Sequence, residues 1–300
     1  MTFVLSDRMG YRQSLLRHNK PTQQAGTGSH MARKKKQVIL CADDFGLNEH
    51  INRAVLQLAA EHRISATSCL TQAGAWAAGA QRLRTLDIDI GLHINFTEKL
   101  GPDNDFHRPL SRLIVNAWLR QLDPVVLVRS IERQCDLFEQ HMKRTPDFFD
   151  GHQHVHQFPQ IRDALMDVLI RRYDCDDFWV RSTAMRNASL ARGLQWKARL
   201  IALLGSSALR RRLQRIDFPY NDDFAGVYAL TGGSARFEQH MQAWLAGAGE
   251  RIVIMCHPAD GVDPADAIGA QRTAEYAFLK SDAFIHLLAT HTSRLVRHPT

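Results

Sequence analysis

Apolar residues fall in short runs separated by longer stretches of helical periodicity. Gln37–Ala42 (QVILCA) is a brief apolar run ending in polar residues and predicts a buried strand. Glu49–Glu61 places Ile51, Ala54, Val55, Leu58 and Ala59 at helical spacing, with Asn48 as the N-cap. The alternation continues with a strand over 64–70, a helix over 75–83 and a strand over 88–96. A long polar loop over 98–109 follows, then a strongly periodic helix over 124–142 and a strand at 147–151. Next come a helix over 161–171, a strand at 178–181 and a helix over 190–204. Residues 213–234, with Pro219, Asp222, Asp223 and three glycines, predict an irregular loop that flexes or contacts substrate. Beyond it lie a helix at 235–245, the apolar strand Arg251–Cys256 (RIVIMC) and a helix over 266–281.

Strands apolar on both faces and alternating with helices predict a parallel sheet covered by helices. The number of repeats favours a closed or nearly closed (β/α) barrel over an open doubly wound sheet. No Gly-x-Gly-x-x-Gly follows the first strand, which removes the main argument for a dinucleotide-binding fold.

Residues 1–36 stand outside this pattern. They are polar and non-periodic, and with Gly-Thr-Gly-Ser-His-Met at 26–31 they read as a tag remnant or an over-extended start, Met31 being the natural first residue. A single domain is expected over 37–300. The tail also disposes of the net charge of +7, because its eight Lys/Arg against one acid make up the whole excess. The remaining chain is neutral, so a nucleic-acid partner is not expected. The one basic cluster, Arg210, Arg211, Arg212 and Arg215, has the spacing of a solvated helix face. No apolar stretch reaches the roughly 18 residues of a membrane span. Five scattered cysteines without a CxxC pair argue against a disulfide framework and a thiolate zinc site, and favour a reducing, cytoplasmic setting.

The chemistry lies at strand ends. Asp43-Asp44 follows the first strand, His93 ends the third, His152, His154 and His156 follow the strand ending at Asp150, and His257 follows RIVIMC. These are the C-terminal ends of parallel strands, where barrel and open α/β sites are built. Two adjacent carboxylates resist double ionisation, and a cation relieves the conflict. One can hold the ion while the other stays free as a base; the alternative is that the pair caps the helix starting near 49. In an extended chain the three imidazoles of 152–156 would face one side, and not all need bind metal. His93 is either a ligand or an inert core histidine. Imidazoles and a carboxylate with open positions suit Zn²⁺ or a similar water-activating ion. His257 stands apart and suits proton transfer.

Ala42-Asp43-Asp44-Phe45-Gly46-Leu47, Gly91-Leu92-His93, Asp150-Gly151-His152-Gln153-His154-Val155-His156-Gln157-Phe158-Pro159 and His257-Pro258 together resemble the YdjC-like carbohydrate deacetylases. That family includes chitooligosaccharide deacetylases and relatives linked to hopanoid biosynthesis. The resemblance runs from Gln37 to about residue 290 and implies a (β/α) barrel-like deacetylase domain with parallel strands and outer helices. It implies a hydrolase that removes the N-acetyl group of an amino sugar or oligosaccharide and releases acetate. One divalent ion, Zn²⁺ or Mg²⁺, is implied on Asp44, His93 and His152, with Asp43 as general base and His257 as general acid. Asp150, His154, His156 and Arg181 are left as substrate contacts or supports, and Arg181 either orients an active-site carboxylate or makes a structural ion pair. The family commonly has Ser at Gly151 and Gly at Ala259, departures that bear on substrate fit. A metal-dependent phosphoesterase or amidohydrolase on a similar barrel, and a catalytically inactive sugar-binding relative, are the alternatives. Members of the family are often dimers.

Deleting residues 1–30 should leave activity and melting temperature nearly unchanged, because the segment has no periodic apolar face to bury. A drop of several degrees in a thermal melt would overturn this.

Overall fold

The computed structural model describes residues 35–102, 104–185 and 202–299. The first strand, β1 (Lys36–Phe45), is buried from Val38 onward. Its residues alternate between two apolar layers. Val38, Leu40 and Ala42 join the large core under the helices, whereas Ile39 and Cys41 point to a smaller inner core. The inner core also takes Ala66 from β2 (Ala66–Cys69), Phe148 from β4 (Phe148–Gly151) and Trp179 from β5 (Trp179–Val180). Phe224 of β6 (Phe224–Ala225) and Val253 and Met255 of β7 (Arg251–Cys256) complete it. A strand apolar on both faces thus serves two cores at once, one inside the curled sheet and one outside.

The strands pair in parallel in the order β5-β4-β3-β2-β1-β7-β6, with β3 over Asp89–Ile94. A short β8 (Ser293–Leu295) lies beside the first residues of β1. The two edges meet through the segment before β6. Val180 bridges Tyr220, its N–H donating to the Pro219 carbonyl at 2.9 Å. Asn221 accepts from the Ser182 N–H at 2.7 Å and donates to the Ser182 carbonyl at 2.8 Å. The sheet is therefore the nearly closed barrel expected.

Helices α1 (Glu49–Ala60), α2 (Trp76–Leu83), α4 (Pro124–Met142), α5 (Ile161–Arg172) and α7 (Gly233–Gly247) match the periodic segments. Asn48 caps α1 by accepting from Ile51 N–H at 3.0 Å. That removes the capping alternative for Asp43 and Asp44. The structure adds α3 (Leu110–Trp118), which buries only Leu113 and Ala117 and leaves Val115 and Trp118 exposed, so its apolar stripe was blurred. It also adds α6 (Ser207–Ile216), which runs into the segment expected to be irregular and carries the arginine cluster. Most of the helix expected at 190–204 lies outside the described residues; 202–206 form a π-turn. The expected 266–281 helix is α8 (Gly269–Lys280), and α9 (Asp282–Thr290) follows after a break at Ser281. Among the described residues no helix is long and apolar enough to cross a membrane.

Inside the barrel, Phe148 stacks on Trp179 with ring centroids 4.4 Å apart. The space for it comes from Gly91, where a Cβ would lie 2.4 Å from Phe148 Cε2. Gly91→Ala should therefore destabilise by about 1–3 kcal/mol, lowering the melting temperature by roughly 2–4 °C per kcal/mol. An unchanged melt would show that the ring pair shifts at no cost.

Candidate active site

In a regular strand Asp43 and Asp44 would face opposite sides of the sheet. Here the register between β1 and β2 slips: Ala42 pairs with Thr67 and Phe45 with Cys69, so β1 carries one residue more. Asp44 sits inside this bulge with φ of 70°, and Gly46 follows at 99°. The left-handed turn at Asp44 is strain held by its surroundings, and it brings both carboxylates to the inner end of the barrel. Gly46 is required, since a Cβ there would lie 2.8 Å from the Leu70 carbonyl oxygen.

Asp43 is gripped by Arg181, whose Nη1 and Nη2 reach its two oxygens at 2.7 Å each. The same Nη2 ion-pairs with Asp150 Oδ2 at 2.8 Å. Arg181 is fully buried and stands at the end of β5, packed over the Phe148 ring. Arg181 thus makes buried ion pairs with two carboxylates at the strand ends. Asp150 accepts from His93 Nδ1 at 2.7 Å and from the Ser68 hydroxyl. Burial alone would raise Asp150, but Arg181 and His93 hold its carboxyl well below the usual range. Against its own burial, His93 is raised by Asp150.

With Nδ1 tied to Asp150, His93 turns Nε2 toward Asp44 Oδ1, 3.5 Å away. His152 Nδ1 lies 3.1 Å from the same oxygen. Asp44, His93 and His152 thus form a group able to hold a metal ion, with all three ligand atoms within 4.8 Å of one another. A second combination, Asp43, His93 and Asp150, meets the same distance test. There, however, the Arg181 guanidinium already lies between the two carboxylates.

The segment after Asp150 corrects the expectation of an extended chain with aligned imidazoles. His152–Gln157 is a 3₁₀ turn in which Gln153 and His154 take positive φ of 52° and 61°. The turn separates the rings. His152 faces Asp44, His154 lies edge-on to Phe224 in the cavity wall, and His156 is buried with Nε2 on the Arg181 carbonyl at 2.9 Å. Burial pushes His156 down to about 4 and His154 well below the histidine range. Gly151 allows this turn, because a Cβ would lie 2.9 Å from His156 N.

His257 follows β7. Desolvation pushes it down to about 4, and its Nδ1 is buried with no hydrogen-bond partner among the described residues. Beneath it Glu275, wholly buried, accepts from the His257 backbone N–H at 2.5 Å and from the Tyr228 hydroxyl. Burial pushes Glu275 up to about 7. One turn earlier on α8, Arg272 donates to Asp44 Oδ2 at 2.7 Å and to Asp266 Oδ2 at 2.6 Å. Burial would raise Asp44, yet Arg272 and then His152 hold it well below the usual range. Sequence reasoning passed over Arg272, Glu275 and Ser68. A signal existed for the first two: they occupy i and i+3 on the buried stripe of α8 that continues through Phe278 and Leu279.

A cavity of about 570 Å³ is lined by Arg272 but not by Glu275 or Ser68. Asp43, Asp44, His93, His152, His154 and His257 also line it. Leu47, Leu100, Leu230 and Ile268 add aliphatic lining.

The chain is similar to known proteins in sequence and in fold. The chain is 24% identical over 257 residues to a human carbohydrate deacetylase, covering 76% of each chain. It is 23% identical over 265 residues to a carbohydrate deacetylase of Vibrio cholerae, covering 85% of this chain and 92% of that one. With a chitooligosaccharide deacetylase of Serratia marcescens it shares 27% over 238 residues, or 75% and 82% of the two chains. In fold it is similar to the crystal structure of an Enterococcus faecalis protein named for cellobiose-phosphate cleavage, with TM-score 0.64 and 18% identity over 88% of this chain and 98% of that one. The sequence pattern of YdjC-like proteins matches residues 37–290, and the chain belongs to that family.

Proposed function

We propose that this protein is a metal-dependent carbohydrate deacetylase that removes the N-acetyl group from an amino sugar or oligosaccharide and releases acetate. The observation that carries the reading is one cavity holding the Asp44–His93–His152 set together with a carboxylate and an imidazole outside that set, Asp43 and His257. The names of the relatives from Vibrio cholerae and Serratia marcescens support the substrate class.

The donor set suits a metal ion. Ligands bound at about 2.0–2.2 Å around one tetrahedral ion lie about 3.3 Å apart, close to the 3.1 and 3.5 Å separations from Asp44 Oδ1. His93 is also oriented as metal-binding histidines are, its other nitrogen bonded to a carboxylate. Of Zn²⁺ and Mg²⁺, two imidazoles and one carboxylate favour zinc, since magnesium prefers oxygen ligands throughout. When bound, the ion supplies the Lewis acidity that polarises the acetamide carbonyl and activates a water.

In this reading Asp43 accepts the proton of the attacking water. The Arg181 fork fixes its direction; Oδ1 also accepts from the Cys41 thiol at 3.5 Å, which leaves Oδ2 with a further lone pair. His257 delivers a proton to the departing nitrogen, without which an amide nitrogen leaves poorly. Because desolvation keeps the ring neutral at neutral pH, that proton is one taken up during turnover. Asp43 is its natural source, since Asp43 and His257 are each the next residue beyond the paired Ala42 and Cys256. A two-metal phosphoesterase is disfavoured, because Arg181 supplies the positive charge between Asp43 and Asp150 that a second ion would bring. An inactive relative is disfavoured by the presence of both Asp43 and His257. Five scattered cysteines without a CxxC pair support a reducing, cytoplasmic setting. Residues 37–300 acting as one domain, a homodimer and no nucleic-acid partner complete the proposal.

His93→Ala and Asp44→Asn should each lose metal, measured by elemental analysis after dialysis, and acetate release together. His154→Ala should keep the metal. Full occupancy in folded His93→Ala protein would refute the ligand set.

Asp43→Asn separates proton transfer from metal binding. It should retain metal and bind sugar, yet turn over roughly 10²–10⁴-fold more slowly, the usual worth of a placed general base. Near-wild-type turnover would remove Asp43 from the mechanism.

A further inference from the structure

We propose that Glu275 is a positioning residue that sets the reach of the His257 imidazole into the cavity through its hold on the His257 main chain. The proposal rests on the assignment of His257 as the proton carrier.

The other functional groups are anchored by their own side chains: Asp43 by Arg181, Asp44 by Arg272, His93 by Asp150. His257 is not. Its Nδ1 has no hydrogen-bond partner among the described residues, so the position of the ring is inherited from the backbone that carries it. That backbone leaves β7 at Cys256, and Pro258 restricts His257 to extended conformations and donates no N–H of its own. A main-chain N–H leaving a sheet in a buried setting needs a partner. Glu275 Oε2 supplies it at 2.5 Å. The Tyr228 hydroxyl donates to the other oxygen, which leaves the carboxylate no free rotation. Two residues further on, Ala259 N–H donates to the Arg272 carbonyl at 3.2 Å, so the loop is stitched to α8 at two points.

Satisfying one N–H does not require a buried acid. A carboxylate with no exposure is costly, and it is tolerated where its geometry is doubly held. The length of the side chain is then the adjustable quantity. It sets how far the His257 backbone stands from the outer helix, and so how far the ring projects.

Three variants test this. Glu275→Leu keeps the volume and removes the acceptor. Glu275→Asp keeps charge and acceptor but is one methylene shorter. Glu275→Gln keeps length and acceptor, and its amide can donate to Tyr228. Glu275→Leu and Glu275→Asp should lower kcat about 10–100-fold, the effect of a displacement of about 1 Å at a reacting group. KM and bound metal should stay within about twofold of wild type, and Glu275→Gln should recover kcat to within about threefold. Hydrogen exchange at the His257 amide should accelerate in Glu275→Leu and remain slow in Glu275→Gln. If Glu275→Leu does not fold, Glu275→Asp carries the test. A kcat within twofold of wild type in Glu275→Asp overturns the proposal, as does a Gln variant as slow as the Leu variant, which would assign the role to charge. The exchange measurement needs no turnover. Lost protection with no acetate release by the wild type would therefore refute the deacetylase reading alone.

Discussion

A guanidinium sealed inside the barrel is the constraint on which the site depends. Arg181 has no exposure, and it is shared by two carboxylates from different strands, Asp43 and Asp150. Removing three charges from water costs several kcal/mol per ion, which only close and saturated pairing offsets. The Arg181 fork provides that pairing, and its effect spreads outward. Asp43 is held in direction, and Asp150, held in turn, orients His93. A member of the candidate metal group and the candidate base therefore hang on one side chain. It stands at the end of a two-residue strand that would be weak alone. The bridge from Val180 to Tyr220 and the Asn221 bonds to Ser182 keep that strand in place, so barrel closure and site geometry are one requirement.

A second set of restraints acts from outside. Helix α8 presents Arg272 and Glu275 inward, one turn apart, and they reach Asp44 on β1 and the main chain just beyond β7. Charges on the apolar stripe of a helix are expensive unless both ends are satisfied. Here the partners are Asp44, Asp266, Tyr228 and the His257 main chain. The inner network sets directions across the barrel, and the helix sets distances from its wall.

Much of this was legible because parallel strands buried on both faces read as unbroken apolar runs, and because acids and histidines clustered where those runs end. The prediction of a nearly closed barrel followed from the same pattern. The short strand β6 and helix α3 escaped, since two residues make no period and α3 buries only two side chains. The strand-end positions of Asp43, Asp44, His93, His152 and His257 could be read, but not their orientations. Periodicity assumes regular backbone, and the backbone is irregular where the chemistry lies. Asp44 turns left-handed in a bulge, and Gln153 and His154 do so in the 3₁₀ turn that parts the three imidazoles. Such turns are set by tertiary packing that a single strand's sequence does not carry.

The bulge in β1 also limits how this site can change over generations. One extra residue between Ala42 and Phe45 turns two neighbouring carboxylates to the same side. Exchanging a residue type there alters one group and leaves the other in place. Gaining or losing a residue would swing every later side chain of the strand to the opposite face and disperse the cluster in one step. The length of the strand between these two positions is therefore inherited unchanged or not at all.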